Sequence, residues 1–278
     1  MNTIYEPTGA AREDSQLALT VPRGCPYGCR YCYCPGLTGA SRAAWVQSRG
    51  PRPGLIEALA KFLGKNVVRG QVMLSFLGDC CSPSCIETTR QALRLLAEHG
   101  APVAILTKTP RALLGDDALD ALDDVTRFGS RIKILTTLTT LRDDVAGRWE
   151  QWAPLPIDRV DALARLHDAG IRTGVSVEPV LYPSDALTVI GRMIPHADEF
   201  LIGALSHMAG PCSIDWPEFV REALGMIREA RRDVYVKRSI AKLLPRGMLR
   251  PEECDHDRLS VRSTAPTASA EQLDMFGA

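Results

Sequence analysis

The chain predicts an α/β fold built on a parallel sheet. Short apolar, β-branched runs alternate with stretches of helical apolar spacing, at a rhythm of about six strand–helix units. Glycine and proline punctuate the junctions, at Gly78, Gly100, Pro110, Gly170 and Pro179. The length of 278 residues suits one large domain with a small appendage, and 45% hydrophobic and 24% charged residues are ordinary for a globular protein. Strand–helix–strand connections of this kind are right-handed. Periodicity alone leaves both a barrel and an open, doubly wound sheet standing.

Residues 1–16 are polar and mixed in charge, and read as an extended lead-in. A short apolar strand follows at 17–21, then a cysteine loop, then an irregular stretch over 35–53 rich in Gly, Pro, Ser and Arg. From 55 the alternation is regular. Helical spacing covers 55–63, and an apolar run at 71–77 ends at Gly78-Asp79. A helix at 84–98 stops at His99-Gly100, a strand occupies 103–106, a helix 110–122, and a β-branched strand 132–138. An amphipathic helix at 157–169 ends on Gly170, and a strand follows at 173–177. Ser184 is expected to cap a helix at 185–193. A strand at 200–202, a helix at 216–230 and a last strand at 234–236 complete the domain, which spans 17–250. Residues 251–278 read as a flexible tail, with 256–271 too poor in apolar residues to order.

The formal net charge is zero, so no global field advertises a nucleic acid or a membrane. Locally, Arg231, Arg232, Lys237, Arg238, Lys242, Arg246 and Arg250 make the late chain basic, either to track a phosphate backbone or as a solvated face. No apolar run approaches the ~20 residues of a membrane helix, and 1–15 are too polar for a signal peptide. The expected compartment is the cytoplasm, with no membrane partner. There, nine cysteines read as metal ligands or reactive thiols rather than disulfides.

The densest chemistry lies in Gly24-Cys25-Pro26-Tyr27-Gly28-Cys29-Arg30-Tyr31-Cys32-Tyr33-Cys34. Three thiols at Cys-x3-Cys-x2-Cys spacing, on a loop rich in Gly and Pro, can wrap a metal centre. Three thiolates on a [4Fe-4S] cluster leave one iron free for a small molecule, whereas structural zinc closes all four positions. Cys34 allows other combinations with Cys29 and Cys32.

This loop, with aromatic Tyr31 before the third cysteine, resembles that of the radical S-adenosylmethionine (SAM) enzymes. The resemblance implies a partial (β/α)6 barrel, with a [4Fe-4S] cluster on Cys25, Cys29 and Cys32. It also implies SAM chelated to the open iron, and an external electron donor such as flavodoxin or ferredoxin. In a parallel barrel the chemistry collects at the strand C-termini. At those ends the sequence resembles the subfamily containing spore photoproduct lyase. Gly78 and Asp79 correspond to the segment receiving the SAM amino group, although Asp79 also reads as a turn or cap residue. Cys80 corresponds to a cysteine that returns a hydrogen atom to the product, Ser82 to a SAM contact, and Tyr33 to a relaying tyrosine. Cys81 and Cys85 read either as ligands of a second cluster or as small buried residues.

Lys108, in Thr107-Lys108-Thr109, would pair with the SAM carboxylate. Thr139, in a threonine-rich strand end, would meet SAM with its hydroxyl. Glu150 would contact SAM or cap the next helix, and Glu178 would stand near the cofactor. His207 faces the substrate side. The implied activity is SAM cleavage acting on DNA, either repair of a thymine photoproduct or modification of a base. The rivals are a radical enzyme acting on a peptide or metabolite, and a non-enzymatic metal-cluster module associated with DNA. Finally, Gln272-Leu273-Asp274-Met275-Phe276 resembles the peptide that docks bacterial repair proteins onto the sliding clamp.

Overall fold

Seven parallel strands curl into a half-barrel in the computed structural model, which describes residues 3–48, 50–115 and 121–263. The strands are β1 (Leu17–Ala18), β2 (Val72–Leu74), β3 (Val103–Thr107), β4 (Ile132–Thr137), β5 (Arg172–Val180), β6 (Glu199–Ala204) and β7 (Asp233–Val236). They pair in chain order, so β1 and β7 are the free edges. The helices are α1 (Cys34–Thr38), α2 (Arg42–Gln47), α3 (Leu55–Leu63), α4 (Ile86–Glu98), α5 (Ala121–Thr126), α6 (Asp143–Trp149), α7 (Pro156–Asp168), α8 (Pro183–Met193), α9 (Trp216–Glu229) and α10 (Arg238–Ala241).

Alternation along each strand divides the core in two. One set of strand residues, including Val72, Ile105, Ile134, Val175, Ile202 and Val236, packs outward against the helices. The other set, Met73, Ala104, Leu135, Leu201 and Tyr235, fills the barrel. Below this inner layer Lys133 meets Glu199 at 2.5 Å, and Arg172 reaches the same carboxylate at 2.6 Å. Each charge is therefore paired on the way into a dry interior.

The regular part of the sequence reading holds, with a seventh strand completing the sheet. Its irregular parts differ. The stretch 35–53 contains α1 and α2, stopped by Gly39 in the left-handed region and capped by Ser41. Helix α8 begins at Pro183, which suits a first helical position, so Ser184 lies inside the first turn and Tyr182 is the flanking residue. After β3 a single 3-10 turn, Pro110–Leu113, precedes α5.

Residues 3–15 and 251–263 are also more ordered than expected. Residues 3–15 form a strap across the gap between the sheet edges. Tyr5 bridges to Ala18 beside β1, and Ser15 donates to the Gln71 carbonyl at 2.7 Å. On the far side Glu13 accepts from the Tyr235 hydroxyl at 2.7 Å and the Arg238 amide at 2.9 Å. Residues 251–263 plug the base. Leu259 is fully buried, its carbonyl accepts from Lys133 Nζ at 2.9 Å, and the Val261 amide donates to Gln71. The peptide at 272–276 lies outside the described residues. Among the described residues no helix is long and apolar enough to cross a membrane.

Candidate active site

The cysteine loop leaves the C-terminal end of β1 and is held from two sides. From α2, Arg42 donates to the carbonyls of Cys29 and Cys32 at 3.0 and 3.3 Å, and the Trp45 carbonyl accepts from the Cys25 amide at 3.2 Å. From the α6–α7 connection, the Trp149 carbonyl accepts from the Arg30 amide at 2.8 Å, and the Trp152 amide donates to the Tyr27 carbonyl at 3.2 Å. Gly28 has φ +59°, and a Cβ there would stand 2.5 Å from the Trp152 ring. No other residue fits under that indole.

The three loop thiols suit an electropositive centre. Burial, with the charge of Asp79 adding, pushes the Cys25 thiol up to about 12. Burial likewise raises Cys29 to about 11, against the pull of Lys108. A hydrogen bond with Cys34 brings Cys32 down to about 6, against burial. Among the described residues no three His, Cys, Asp or Glu side chains converge as a single-ion site requires. The Cys25, Cys29 and Cys32 thiols fit a cluster that spreads its ligands over separate corners. Cys34 is buried at the start of α1, with Sγ 3.5 Å from the Phe76 carbonyl.

Beside the loop stands a buried charged group. Glu150 accepts from the Tyr31 hydroxyl, pairs with Arg159 at 2.5 Å and lies 3.9 Å from Lys108 Nζ. Lys108 sits 5.4 Å over the Tyr31 ring, and the Thr139 hydroxyl reaches the same carboxylate at 3.4 Å. Arg159 is almost fully buried and also donates to the carbonyls of Thr137 and Pro154, at 3.0 and 2.7 Å. Tyr31, Lys108 and Thr139 are thus brought together, by the Glu150 carboxylate and its Arg159 partner.

Other expected residues sit elsewhere. Gly78 has φ +84° and lies against the cysteine loop, where a Cβ would be 2.5 Å from the Gly24 carbonyl. Asp79 is turned inward. Its oxygens accept from the Thr107 hydroxyl at 2.7 Å, the Lys108 amide at 2.7 Å and the Cys81 amide at 3.0 Å. This is the turn-residue alternative, and it joins the ends of β2 and β3. Ser82 is fully buried in the turn before α4.

Cys80 is not brought to the mouth. It is fully buried in the main core with Cys81, and its thiol donates to the Leu74 carbonyl at 3.4 Å. Cys80→Ala is expected to lower stability by about 1–2 kcal/mol through the small cavity left, with reaction products unchanged. Thermal melts and product mass spectra check this, and an altered product would restore the hydrogen-return role of Cys80.

Glu178 stands at the end of β5, paired with Lys237 at 2.6 Å. Lys237 in turn meets Asp14 of the strap at 2.8 Å. Burial lowers and the two carboxylates raise the Lys237 amine, which stays well above its ordinary value. Tyr33 lies at the rim, its ring 6.0 Å from that of His207. Asp14 gave no sequence signal, because its partner is 223 positions away.

The radical SAM superfamily model matches residues 19–186, well over half of the chain. The chain belongs to the radical SAM superfamily. That family uses a [4Fe-4S] cluster and SAM, and the donor set of the cysteine loop fits them. Two curated relatives are uncharacterized proteins. One is ORF301 of Acidianus two-tailed virus, 27% identical over 66% of this chain and 62% of that protein. The other is MJ0683 of Methanocaldococcus jannaschii, 26% identical over 57% of this chain and 58% of that protein. The chain therefore spans about three fifths of the length of each.

Solved radical SAM structures share the fold. A spore photoproduct lyase variant has a TM-score of 0.62 at 13% identity, over 84% of this chain and 79% of that one. A spore photoproduct lyase variant with bound SAM and dinucleoside spore photoproduct has a TM-score of 0.55 at 14% identity, covering 82% and 65%. Streptococcus suis SuiB bound to its precursor peptide SuiA has 0.58 at 14%, covering 84% and 53%.

Proposed function

We propose that this radical SAM chain holds a [4Fe-4S] cluster on Cys25, Cys29 and Cys32 and acts on a base of DNA. Cys25, Cys29 and Cys32 would hold the cluster, and with SAM it would supply radical hydrogen-atom abstraction from the substrate. The protein's part is to position and to exclude water. Arg42 and the Trp149–Trp152 segment set the loop backbone. Lys108, over Tyr31 and beside Glu150, offers an ammonium to the SAM carboxylate. Thr139 lines the same half of the mouth, and electrons come from an external carrier of the flavodoxin or ferredoxin kind.

The observation that favours DNA is the rim of the mouth. Arg238 and Lys242 are exposed four residues apart on the helical turns after β7, and Tyr33, His207 and Met208 are exposed after the ends of β1 and β6. Basic side chains interleaved with aromatic ones suit a phosphate backbone and an unstacked base. The structural likeness to a lyase holding a dinucleoside photoproduct supports this reading, and the likeness to SuiB with its peptide supports the rival. The peptide at 272–276 fits the same reading, as a tether to the bacterial sliding clamp. In the cytoplasm such a tether would bring the enzyme to DNA.

The test is anaerobic. Reconstituted protein, dithionite, SAM and ultraviolet-irradiated thymidine-rich DNA are combined, and 5′-deoxyadenosine and DNA masses are followed. The expected result is DNA-stimulated release of 5′-deoxyadenosine together with a changed DNA mass. Release with unchanged DNA overturns the DNA substrate and moves the reading to a peptide or metabolite. No release from protein holding about four irons per chain leaves a non-catalytic cluster module.

A further inference from the structure

The mouth has a second charged group, across the sheet from Lys108. Glu178, Gly203 and Lys237 follow inward-facing positions of β5, β6 and β7 and crown the inner layer of Leu201 and Tyr235. Lys237 is nearly buried, and its ammonium is occupied by Asp14 and by Glu178 Oε2, at 2.8 and 2.6 Å. The other carboxylate oxygen, Oε1, has no hydrogen-bond donor among the described residues. It lies over Gly203, where a Cβ would stand only 2.5 Å away. The side chain keeps 30% of its surface exposed, so it is fixed at one oxygen and open at the other.

On the same side of the mouth is a pair of aromatic rings. The Tyr33 ring is tilted 41° to that of His207, with centroids 6.0 Å apart. The Tyr33 hydroxyl has no partner among the described residues. The charges of Asp14, Lys237 and Glu178 all reach it, which places it in the same chamber.

We infer that Glu178, braced by Lys237 and Asp14, is a substrate-side subsite that accepts the ring N–H of a flipped-out pyrimidine lying against Tyr33 and His207. This moves Glu178 from the cofactor to the substrate, and it rests on the DNA reading above. A carboxylate accepts and cannot donate, so it selects an N–H edge. In a duplex the pyrimidine imide N–H is occupied by base pairing and becomes free only when the base leaves the stack. The Tyr33 ring takes the face of the pyrimidine and the carboxylate takes its edge. Burial pushes the Glu178 carboxyl up, and Lys237 opposes that shift and aims the group, so it is a positioning residue.

The test measures binding by the full chain, without turnover. Two fluorescent oligonucleotides carry a single base among abasic sites, either thymine or N3-methylthymine, which lacks the N–H. Wild type is expected to bind the thymine probe about tenfold or more tightly than the methylated one, the scale of a hydrogen bond to a charged group. Glu178→Met should bind both probes equally, at the level of the methylated probe on wild type. Circular dichroism confirms that the variant folds, and the comparison on wild type needs no variant. Equal affinity of wild type for the two probes overturns the subsite and leaves backbone binding intact. Failure of wild type to bind either probe overturns the DNA reading beneath it.

Discussion

Arg159→Met is expected to destabilise the chain by about 3–5 kcal/mol, because it strips the buried Glu150 of its closest counter-charge. Methionine replaces the arginine stem but not the guanidinium, which also serves the Thr137 and Pro154 carbonyls. Lys108, at 3.9 Å, compensates only in part. Adding Glu150→Gln to Arg159→Met removes the orphaned charge and should recover part of the loss. Urea midpoints of the two variants measure both effects, and a loss under about 1 kcal/mol for Arg159→Met would show that the pair is not a structural keystone. A pH dependence goes with it. Burial raises the Glu150 carboxyl, but Lys108 and Arg159 outweigh it and hold the group below its ordinary value of 4.5. The stability contributed by the ionised carboxylate is complete above pH 4.5 and is lost as the pH falls through the lower folded value.

Substituting the loop cysteines one at a time should divide them sharply. Cys25→Ser, Cys29→Ser and Cys32→Ser are each expected to lower iron from about four per chain to near zero after anaerobic reconstitution, and to abolish SAM cleavage. Cys34→Ala should keep the cluster and its visible absorption. The reason is positional. Cys25, Cys29 and Cys32 lie on the loop that Arg42 and Trp149 hold open, whereas Cys34 starts a helix and points its thiol at the Phe76 carbonyl. Full iron in Cys32→Ser and loss of iron in Cys34→Ala would exchange the two residues as ligands.

What the sequence made legible was local. The cysteine spacing, the seven strands and helices α3, α4, α7, α8 and α9 are written in runs of fewer than 15 residues and were read close to their bounds, whereas the short α1, α2, α6 and α10 were not read and α5 was placed at 110–122. Tyr31, Lys108 and Thr139 were placed at strand ends and do meet there. Glu150 was left between two roles, because its meaning depends on Arg159 and Lys108 and not on its neighbours. Asp79 and Cys80 show the opposite failure. Both belong to a turn that looks reactive in sequence, yet the turn faces the core, and burial direction is not encoded in spacing. The strap and the plug were missed for a third reason. Short polar segments with single apolar anchors such as Ile4 and Leu259 carry no periodicity, so composition reads them as unordered.

The strap also sets a schedule for synthesis. Glu13 and Asp14 emerge early, but their partners Tyr235 and Lys237 are translated 222 and 223 residues later. At about 5–20 residues per second, the segment waits on the order of 10–40 s for the sheet edge it will hold. Until then the β1 edge and the inner apolar layer are open to the ribosome's surroundings. Nascent chains stalled before residue 233 should lose the strap to a protease that spares it in released protein, and protection of the strap in those stalled chains would show that it docks without β7. A barrel closed by its own first residues is one whose birth ends where its sequence began.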